Sequence, residues 1–377
     1  MTRMNVGLIG CGNISTSYLG LAPNFAGLRF VAVSDVNDAA AQARAAEYGV
    51  EARSVDALLA SDDIDAIVNL TIPDAHYDVT TRILNAGKHA YSEKPLVLTL
   101  EQGKALADLA AARGLRVGCA PDTFLGGAHQ QARAILDAGG IGRVVAGTCH
   151  VMSRGMEDWH PNPDFFFLPG AGPVLDIGPY YVTNLIQLLG PVRRVAALSS
   201  AARPTRTITN GARNGEEIPV KTPTNIHALL EFDQGATVTL SASWDICAHR
   251  HAPMELYGTD GSLFVPDPNF FGGTLEQAGP DGAITEVAPW DHPFGVDNQN
   301  LDSDRPQANY RTAGLADMVA AIHEDRPHRC ALELAVHATD VMTSILKSGE
   351  TGQFVEMTTT CARPAPLTPD AARALQS

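Results

Sequence analysis

A lysine held between a glutamate and a proline, Glu93-Lys94-Pro95, closes a short apolar run, and two further proton-handling groups, Asp176 and Tyr180, stand four residues apart later in the chain. An ammonium donates to an oxygen that gains negative charge, a phenol can pass a proton, and a carboxylate orients hydroxyl groups. Such a set suits proton transfer at a hydroxyl-bearing or carbonyl carbon. Lys94 falls at the C-terminal end of a predicted parallel strand, the edge where ligands bind in doubly wound sheets. Pro95 restricts Lys94 toward extended geometry, which aims the side chain consistently. On residue type alone, a surface lysine before a turn is the commoner reading. Asp176 and Tyr180 project from one face if the segment from about Pro173 to Leu189 is a single helix, with Leu175, Val182, Leu185, Ile186 and Leu189 as its packed face. Pro179 either marks the first turn of that helix or bends it between the two residues. A core tyrosine with a satisfied hydroxyl is the competing reading of Tyr180, and Tyr181 is the reserve candidate.

The segment Gly7-Leu8-Ile9-Gly10-Cys11-Gly12-Asn13-Ile14-Ser15 follows the first predicted strand and opens a helix. Gly10 can make the tight turn, and Gly12 lets the backbone approach a pyrophosphate. The helix start behind them, at Asn13 and Ile14, offers free N–H groups and a favourable dipole. Ser15 stands where that fingerprint has Gly or Ala. A glycine-rich turn without a ligand is the bland alternative, and Asp35 weighs against it. It ends the second predicted strand about 20 residues on, where a carboxylate accepts from ribose hydroxyls and repels a 2′-phosphate. Val36, Asn37 and Asp38 follow, with no Arg or Lys among them, so the expected cofactor is NAD rather than NADP.

The elements around these residues alternate. Asn5 to Ile9, Arg29 to Ser34, Ala66 to Leu70, His89 to Ser92 and Leu115 to Gly118 read as strands with helical stretches between them. Their nearly continuous apolar runs predict a doubly wound parallel α/β sheet over 1–121. A second α+β domain over 122–361, with a large open mixed and mostly antiparallel sheet, is expected after it. Its predicted parts are a helix to about Ala138, a strand at Arg143 to Val151, strands at Asn225 to Phe232 and Ala236 to Trp244, and shorter ones around Met254 to Tyr257 and Ser262 to Val265. Helices follow at Ala313 to Glu324 and Ala331 to Leu346, and 362–377 reads as a loosely attached tail. With 377 residues the chain has room for two cores.

A formal net charge of -15 disfavours nucleic acid and membrane surfaces as partners. No stretch has the pattern of a signal peptide or a membrane span, and the six cysteines are scattered singly without a C-x-x-C pair, so a reducing cytoplasm is expected and no metal centre.

The long connection from Ser153 to Gly172 carries Glu157-Asp158-Trp159-His160-Pro161 and Phe165-Phe166-Phe167. Sugar faces stack on Trp, while His and Asp hydrogen-bond hydroxyls, so Trp159 and His160 are candidate substrate contacts on a lid; a hydrophobic plug is an equal reading. Asp122, just past the last predicted parallel strand, faces the expected ligand edge or begins a turn. His249 and His251 flank Arg250 without a further ligand pattern, and an interface or solvated role fits them better than metal.

Taken with Gly-Cys-Gly-Asn-Ile-Ser, the Glu93-Lys94-Pro95 segment resembles the glucose-fructose oxidoreductase and inositol dehydrogenase (Gfo/Idh/MocA) family. The resemblance continues through Thr71-Ile72-Pro73-Asp74-Ala75-His76, Gly170-Ala171-Gly172-Pro173-Val174-Leu175-Asp176-Ile177-Gly178 and Tyr257-Gly258-Thr259-Asp260-Gly261-Ser262. It implies a Rossmann domain joined to an open-faced sheet, hydride transfer at a sugar or polyol carbon, and a homodimer or homotetramer assembled through that sheet. It further implies Thr71, Pro73, His76 and Glu93 as cofactor-pocket residues, and Lys94, Asp176 and Tyr180 as the catalytic set. His76 taken alone reads equally as a cap of the next helix, and Glu93 orients Lys94, touches the nicotinamide side or is a simple exposed carboxylate. The family usually carries His at the position of Tyr180, although Tyr occurs in some members. A phenol, with a reference pKa near ~10, serves as a base at neutral pH only if an ammonium such as that of Lys94 lies beside it. Two other activities are known on this scaffold, NAD-using glycoside cleavage and ligand sensing without turnover.

Overall fold

The computed structural model describes residues 3–300 and 306–377, and the chain forms two compact units. The first gathers Met1–Gln130, Trp290–Thr339 and Pro364–Ser377, and the second gathers Gln131–Pro289 and Asp340–Arg363.

In the first unit, β1 (Met4–Ile9), β2 (Leu28–Ser34), β3 (Glu51–Ala52), β4 (Ala66–Asn69), β5 (His89–Ser92) and β6 (Val117–Cys119) form one sheet. Their order is β3-β2-β1-β4-β5-β6 and every pairing is parallel. The helices α1 (Asn13–Leu21), α2 (Asp38–Tyr48), α3 (Val55–Ala60), α4 (Pro73–Asn85) and α5 (Leu100–Arg113) connect the strands. Both faces of the sheet are covered, which is why Val6, Leu8, Ala32, Val33, Ile67 and Val68 are all buried and the strands read as unbroken apolar runs. Helix ends follow local chemistry: Asn37 and Thr99 cap α2 and α5, and Gly49 and Gly114 end them in left-handed conformations. The order of strands reverses between β1 and β4, a switch point where the loops leaving their carboxyl ends part.

In the second unit, after α6 (Gly127–Asp137), come β7 (Val144–Met152), α7 (Pro173–Asp176), α8 (Gly178–Leu189), β8 (Val192–Ser200), β9 (Thr205–Thr207) and β10 (Glu217–Pro219). They are followed by β11 (Asn225–Phe232), β12 (Thr237–Ser243), β13 (Met254–Gly258), β14 (Ser262–Val265), β15 (Glu276–Ala278) and β16 (Ile284–Glu286). The chain then returns to the first unit with β17 (Gln299–Asn300), β18 (Pro306–Gln307), α9 (Ala313–His323) and the start of α10 (Leu332–Thr351). A last strand, β19 (Val355–Glu356), completes a nine-stranded sheet in the order β16-β15-β14-β13-β7-β12-β11-β8-β19. Only β7 and β12 pair in parallel. Strand β11 alternates as a sheet with one covered face requires: Ile226, Ala228, Leu230 and Phe232 are buried, while His227 and Leu229 are exposed.

The expected fold class is present, with three differences in detail. Strand β8, with the alternating sequence Val-Arg-Arg-Val-Ala-Ala-Leu-Ser-Ser, was not among the expected strands. The segment carrying Asp176 and Tyr180 is two helices rather than one, because Pro179 has no N–H for the carbonyl four residues back and the ladder breaks at Ile177. The tail is docked, not loose. It forms α11 (Pro369–Leu375), buries Leu367, Ala372 and Leu375, and the Leu367 N–H donates to Gln130 Oε1 at 2.6 Å. Leu367→Ala should therefore lower the stability of the first unit by about 2–5 kcal/mol. Denaturant titration followed by tryptophan emission checks this, and an unshifted midpoint would mean that the tail contributes nothing.

Candidate active site

The turn after β1 is shaped by backbone crowding. Gly10 has φ +105°, and a Cβ there would lie 2.4 Å from the Leu70 carbonyl oxygen, so only glycine fits. Its N–H donates to Ser34 O at 2.8 Å, and the Leu70 N–H donates to Ile9 O at 2.8 Å, so the end of β1 is tied to β2 and β4. Nothing stands within 4 Å of a Cβ built on Gly12. Gly12 caps α1 without a side-chain bond, and no acidic residue stands in the first turn at Asn13 and Ile14. An open, uncapped helix start beside a turn that only glycine can make suits an anionic pyrophosphate, and these residues fit NAD. Asp35 is half-buried; its Oδ2 accepts from the Cys11 N–H at 2.7 Å and its Oδ1 from the Asn37 N–H at 2.8 Å. The carboxylate is thereby fixed beside the turn. Burial, then the charge of Asp35, pushes the Cys11 thiol up to about 11 and keeps it neutral. Val36 and Ile72, two apolar side chains overlooked in the sequence, are exposed at loops on this same strand edge.

The loops after β4 and β5 are pinned to each other. Asn69 Oδ1 accepts from the Thr71 N–H and hydroxyl at 3.2 and 2.7 Å, and its amide donates to His76 O at 3.0 Å. His76, 1% exposed, places Nδ1 2.7 Å from Pro95 O and Nε2 2.9 Å from Thr71 O. It thus holds the Lys94 loop against the Thr71 loop rather than capping α4, whose first turn is begun by Pro73. The Tyr18 hydroxyl donates to Glu93 Oε1 at 3.0 Å, and Glu93 Oε2 accepts from the Lys94 N–H at 3.0 Å. Glu93 is thus half-buried and bonded to the backbone of the lysine segment rather than a simple exposed carboxylate. Tyr18 and Asn69 are positioning residues that the sequence did not single out. Both are polar groups among apolar neighbours, and no spacing marks them.

Asp122 is a correction. It was expected as a substrate contact, yet it is 2% exposed and its Oδ2 accepts from the Thr312 and Gly314 N–H groups at 3.0 Å each. Those groups start α9, and Thr312 there holds φ 104°, a strained value for a β-branched residue, which the Asp122 bond supports. Burial pushes the Asp122 carboxyl up to about 6, against the opposing pull of the Gly314 N–H.

In the second unit, Asp176 ends α7 and Tyr180 lies in the first turn of α8. Tyr180 is half-buried, and every other residue of Gly178–Leu189 is buried, so it is the one side chain of α8 that reaches the surface of the unit. The reserve candidate Tyr181 is a core residue, 3% exposed, donating to Asp267 Oδ1 at 3.0 Å. The long loop is buried in one part and exposed in another. Phe166 and Phe167 are a plug packed with Met156, Ile208, Ile218 and Trp244, whereas Trp159 and Phe165 are exposed. His160 packs edge-on against Trp159, Phe165 and Phe166, and its Nδ1 accepts from the Asn162 N–H at 3.1 Å. His249 and His251 are exposed, and His251 stacks on His150 at 4.0 Å. Among the described residues no His, Cys, Asp or Glu cluster is arranged to hold a metal ion.

Comparison with known proteins decides the family. Residues 4–120 match the model described as an oxidoreductase family with an NAD-binding Rossmann fold, and residues 129–264 match the GFO/IDH/MocA C-terminal domain. The chain belongs to the Gfo/Idh/MocA oxidoreductase family. Inositol 2-dehydrogenase of Rhizobium meliloti (strain 1021) is 42% identical over 99 residues, 26% of this chain and 30% of that enzyme's own length. 1,5-Anhydro-D-fructose reductase of Ensifer adhaerens is 25% identical over 362 residues, covering 94% of this chain and 98% of that enzyme. The solved structure of a levoglucosan dehydrogenase in complex with NADH and levoglucosan superposes with a TM-score of 0.80 at 20% identity, over 95% of this chain and 100% of that one. In this Gfo/Idh/MocA member residues 4–120, within the first unit, form the NAD-binding Rossmann domain.

Two outcomes follow from this geometry. Gly10→Ala should weaken NAD binding by at least about tenfold, or about 1.4 kcal/mol, because the Leu70 loop must move. Titration of NADH fluorescence reads this, and unchanged affinity would contradict the cradle. Asp122 has a folded pKa raised above the ordinary 3.8, so the folded state takes up its proton first as pH falls. Compared with Asp122→Asn, the parent chain should gain stability between about pH 6 and 4. Paired denaturation curves across that range check the sign.

Proposed function

We propose that this protein is an NAD-dependent dehydrogenase that oxidises, or in reverse reduces, a CH–OH carbon of a sugar, cyclitol or related polyol. The reading rests on the Lys94 segment. Tyr18, Glu93 and His76 fix it at the carboxyl edge of the sheet that also carries the Gly10–Gly12 turn and Asp35. Bound NAD supplies the hydride acceptor, or the donor in the reverse direction. Lys94 donates to the substrate oxygen and stabilises the alkoxide as the proton leaves. Tyr180 takes that proton, and Asp176 orients the neighbouring hydroxyl groups, with Trp159 and His160 as further substrate contacts. Asp35 favours NAD over NADP, since a 2′-phosphate beside a fixed carboxylate is repelled. The names of the relatives, dehydrogenases and reductases of small sugars and cyclitols, support turnover over glycoside cleavage or sensing.

The nine-stranded sheet is the proposed assembly surface. Leu198 on β8 and Leu229 on β11 are 74% and 47% exposed and lie diagonally across the paired strands, an apolar patch suited to a second copy of the chain in a homodimer or homotetramer. No described helix is long and apolar enough to cross a membrane.

The direct test is absorbance at the NADH band over a panel of inositols, aldoses and anhydrosugars. Lys94→Ala should reduce turnover by roughly three or more powers of ten, about 4 kcal/mol of transition-state stabilisation, with NAD affinity near normal. A fully active variant would remove Lys94 from the mechanism. In the oxidation direction Tyr180→Phe should lose the acidic limb of the pH–rate profile together with most of the rate, and an unchanged profile would send the proton elsewhere.

A further inference from the structure

The second unit holds a cleft of about 270 Å³, open to solvent and walled by the loops that follow β7, β8 and β12. That volume is close to the lower end of the ~300–1,000 Å³ of small-molecule sites. At its floor is Arg206, 7% exposed, bonded to Glu157, to Asp245 Oδ1 at 2.5 Å, and to the Arg154 and Trp244 carbonyl oxygens at 2.6 and 2.9 Å. One buried guanidinium thus serves two buried carboxylates. The second carboxylate is satisfied, since Asp245 Oδ2 accepts from the Thr224 hydroxyl at 2.7 Å. The first is not. Glu157 is 9% exposed, one of its oxygens is taken by Arg206, and the other, Oε2, is buried without a hydrogen-bond partner. A buried carboxylate oxygen lacking a donor is costly, and a ligand donating to it recovers that cost.

The chemistry of the walls narrows the ligand. Arg154, Arg203 and Arg206 balance Glu157, Asp158 and Asp245, so the lining has no net formal charge. A phosphate or carboxylate would meet the unsatisfied Glu157 oxygen with like charge, and a simple cation would meet the exposed guanidinium groups at the mouth. A molecule with many hydroxyls matches both, because each hydroxyl donates to a carboxylate and accepts from a guanidinium or from the Thr207 and Thr209 hydroxyls. We propose that this cleft is a binding site for a neutral, hydroxyl-rich ligand, a saccharide or cyclitol, that donates a hydroxyl to Glu157. The inference deepens the sugar-dehydrogenase reading, adding a carbohydrate contact carried wholly by the second unit, and it stands or falls separately from the roles of Lys94 and NAD.

Cys247 supplies a local reporter. It lines the cleft and is exposed, while Cys11, Cys119, Cys149 and Cys330 are buried. The rate of Cys247 alkylation by a maleimide, identified by peptide mass, is measured on the full chain without nucleotide. D-Glucose, myo-inositol and maltose are tested beside inorganic phosphate and ethanolamine. At least one of the three neutral compounds should slow alkylation saturably, by about tenfold when the cleft is filled, and the two charged probes should not. Thr209→Phe, which narrows the mouth without touching the Arg206 bonds, should abolish protection while leaving NAD titration unchanged. Protection by none of the three neutral compounds, protection by phosphate or ethanolamine instead, or undiminished protection in Thr209→Phe would each overturn the assignment. A chain that shows saccharide protection yet no NADH production would retain this site and lose the dehydrogenase reading.

Discussion

The first unit depends on one close approach of two backbones. The end of β1 lies so near the Leu70 carbonyl that the residue there has no room for a side chain, and its positive φ favours the same residue. That contact turns the chain sharply and leaves the following helix start uncovered. No side chain caps α1, and Gly12 presents nothing but backbone. Had an aspartate or serine occupied the cap, it would have satisfied the free N–H groups internally, and the site would have lost its attraction for an anion. The missing cap, a deficit for a lone helix, is what makes the turn a binding surface.

Around this turn the loops are held by buried polar groups rather than by apolar packing. Asn69, His76 and Asp122 each bond backbone atoms of another segment, and Glu93 bonds the Tyr18 hydroxyl and the Lys94 N–H. Polar groups taken out of water impose geometry because each must find its partner at a defined distance and direction. His76 shows the effect best, since a rigid ring between two carbonyl oxygens fixes the separation of two loops. The backbone position of Lys94 is consequently set by bonds made by its neighbours.

The parallel sheet was legible because burial on both faces leaves a pattern of consecutive apolar residues, and β5 came out at its observed bounds, His89–Ser92. The glycine turn and Asp35 were legible because spacing along the chain translates directly into position at one sheet edge. Asp122 was misread for the same reason. Its place past β6 indicated the ligand edge, but its partners, Thr312 and Gly314, are about 190 residues away and no local pattern announces them. The tail misled through composition, since Pro and Ala richness describes a free segment as well as one whose Leu367 and Leu375 find a distant groove. Glu157 and Arg206 were invisible as a pair, being 49 residues apart, one on the long loop after β7 and the other on the short strand β9.

On the proposed assignment Tyr180 stands where the family usually carries histidine, an exchange that would change less of the scaffold than of the chemistry. Because α8 is buried on every side except at this residue, the exchange alters one protruding group and leaves the packing of Val182, Leu185 and Ile186 untouched. An imidazole has two ring nitrogens and can accept at one while donating at the other; a phenol works through a single oxygen. The tyrosine must therefore release its proton to solvent or to a neighbour through the same atom that receives it. Such an oxygen acts as a base near neutral pH only when a positive charge stabilises the phenolate. In the proposed mechanism a tyrosine at this position would call on the lysine twice, once for the substrate oxygen and once for the phenol, whereas a histidine would call on it only for the first.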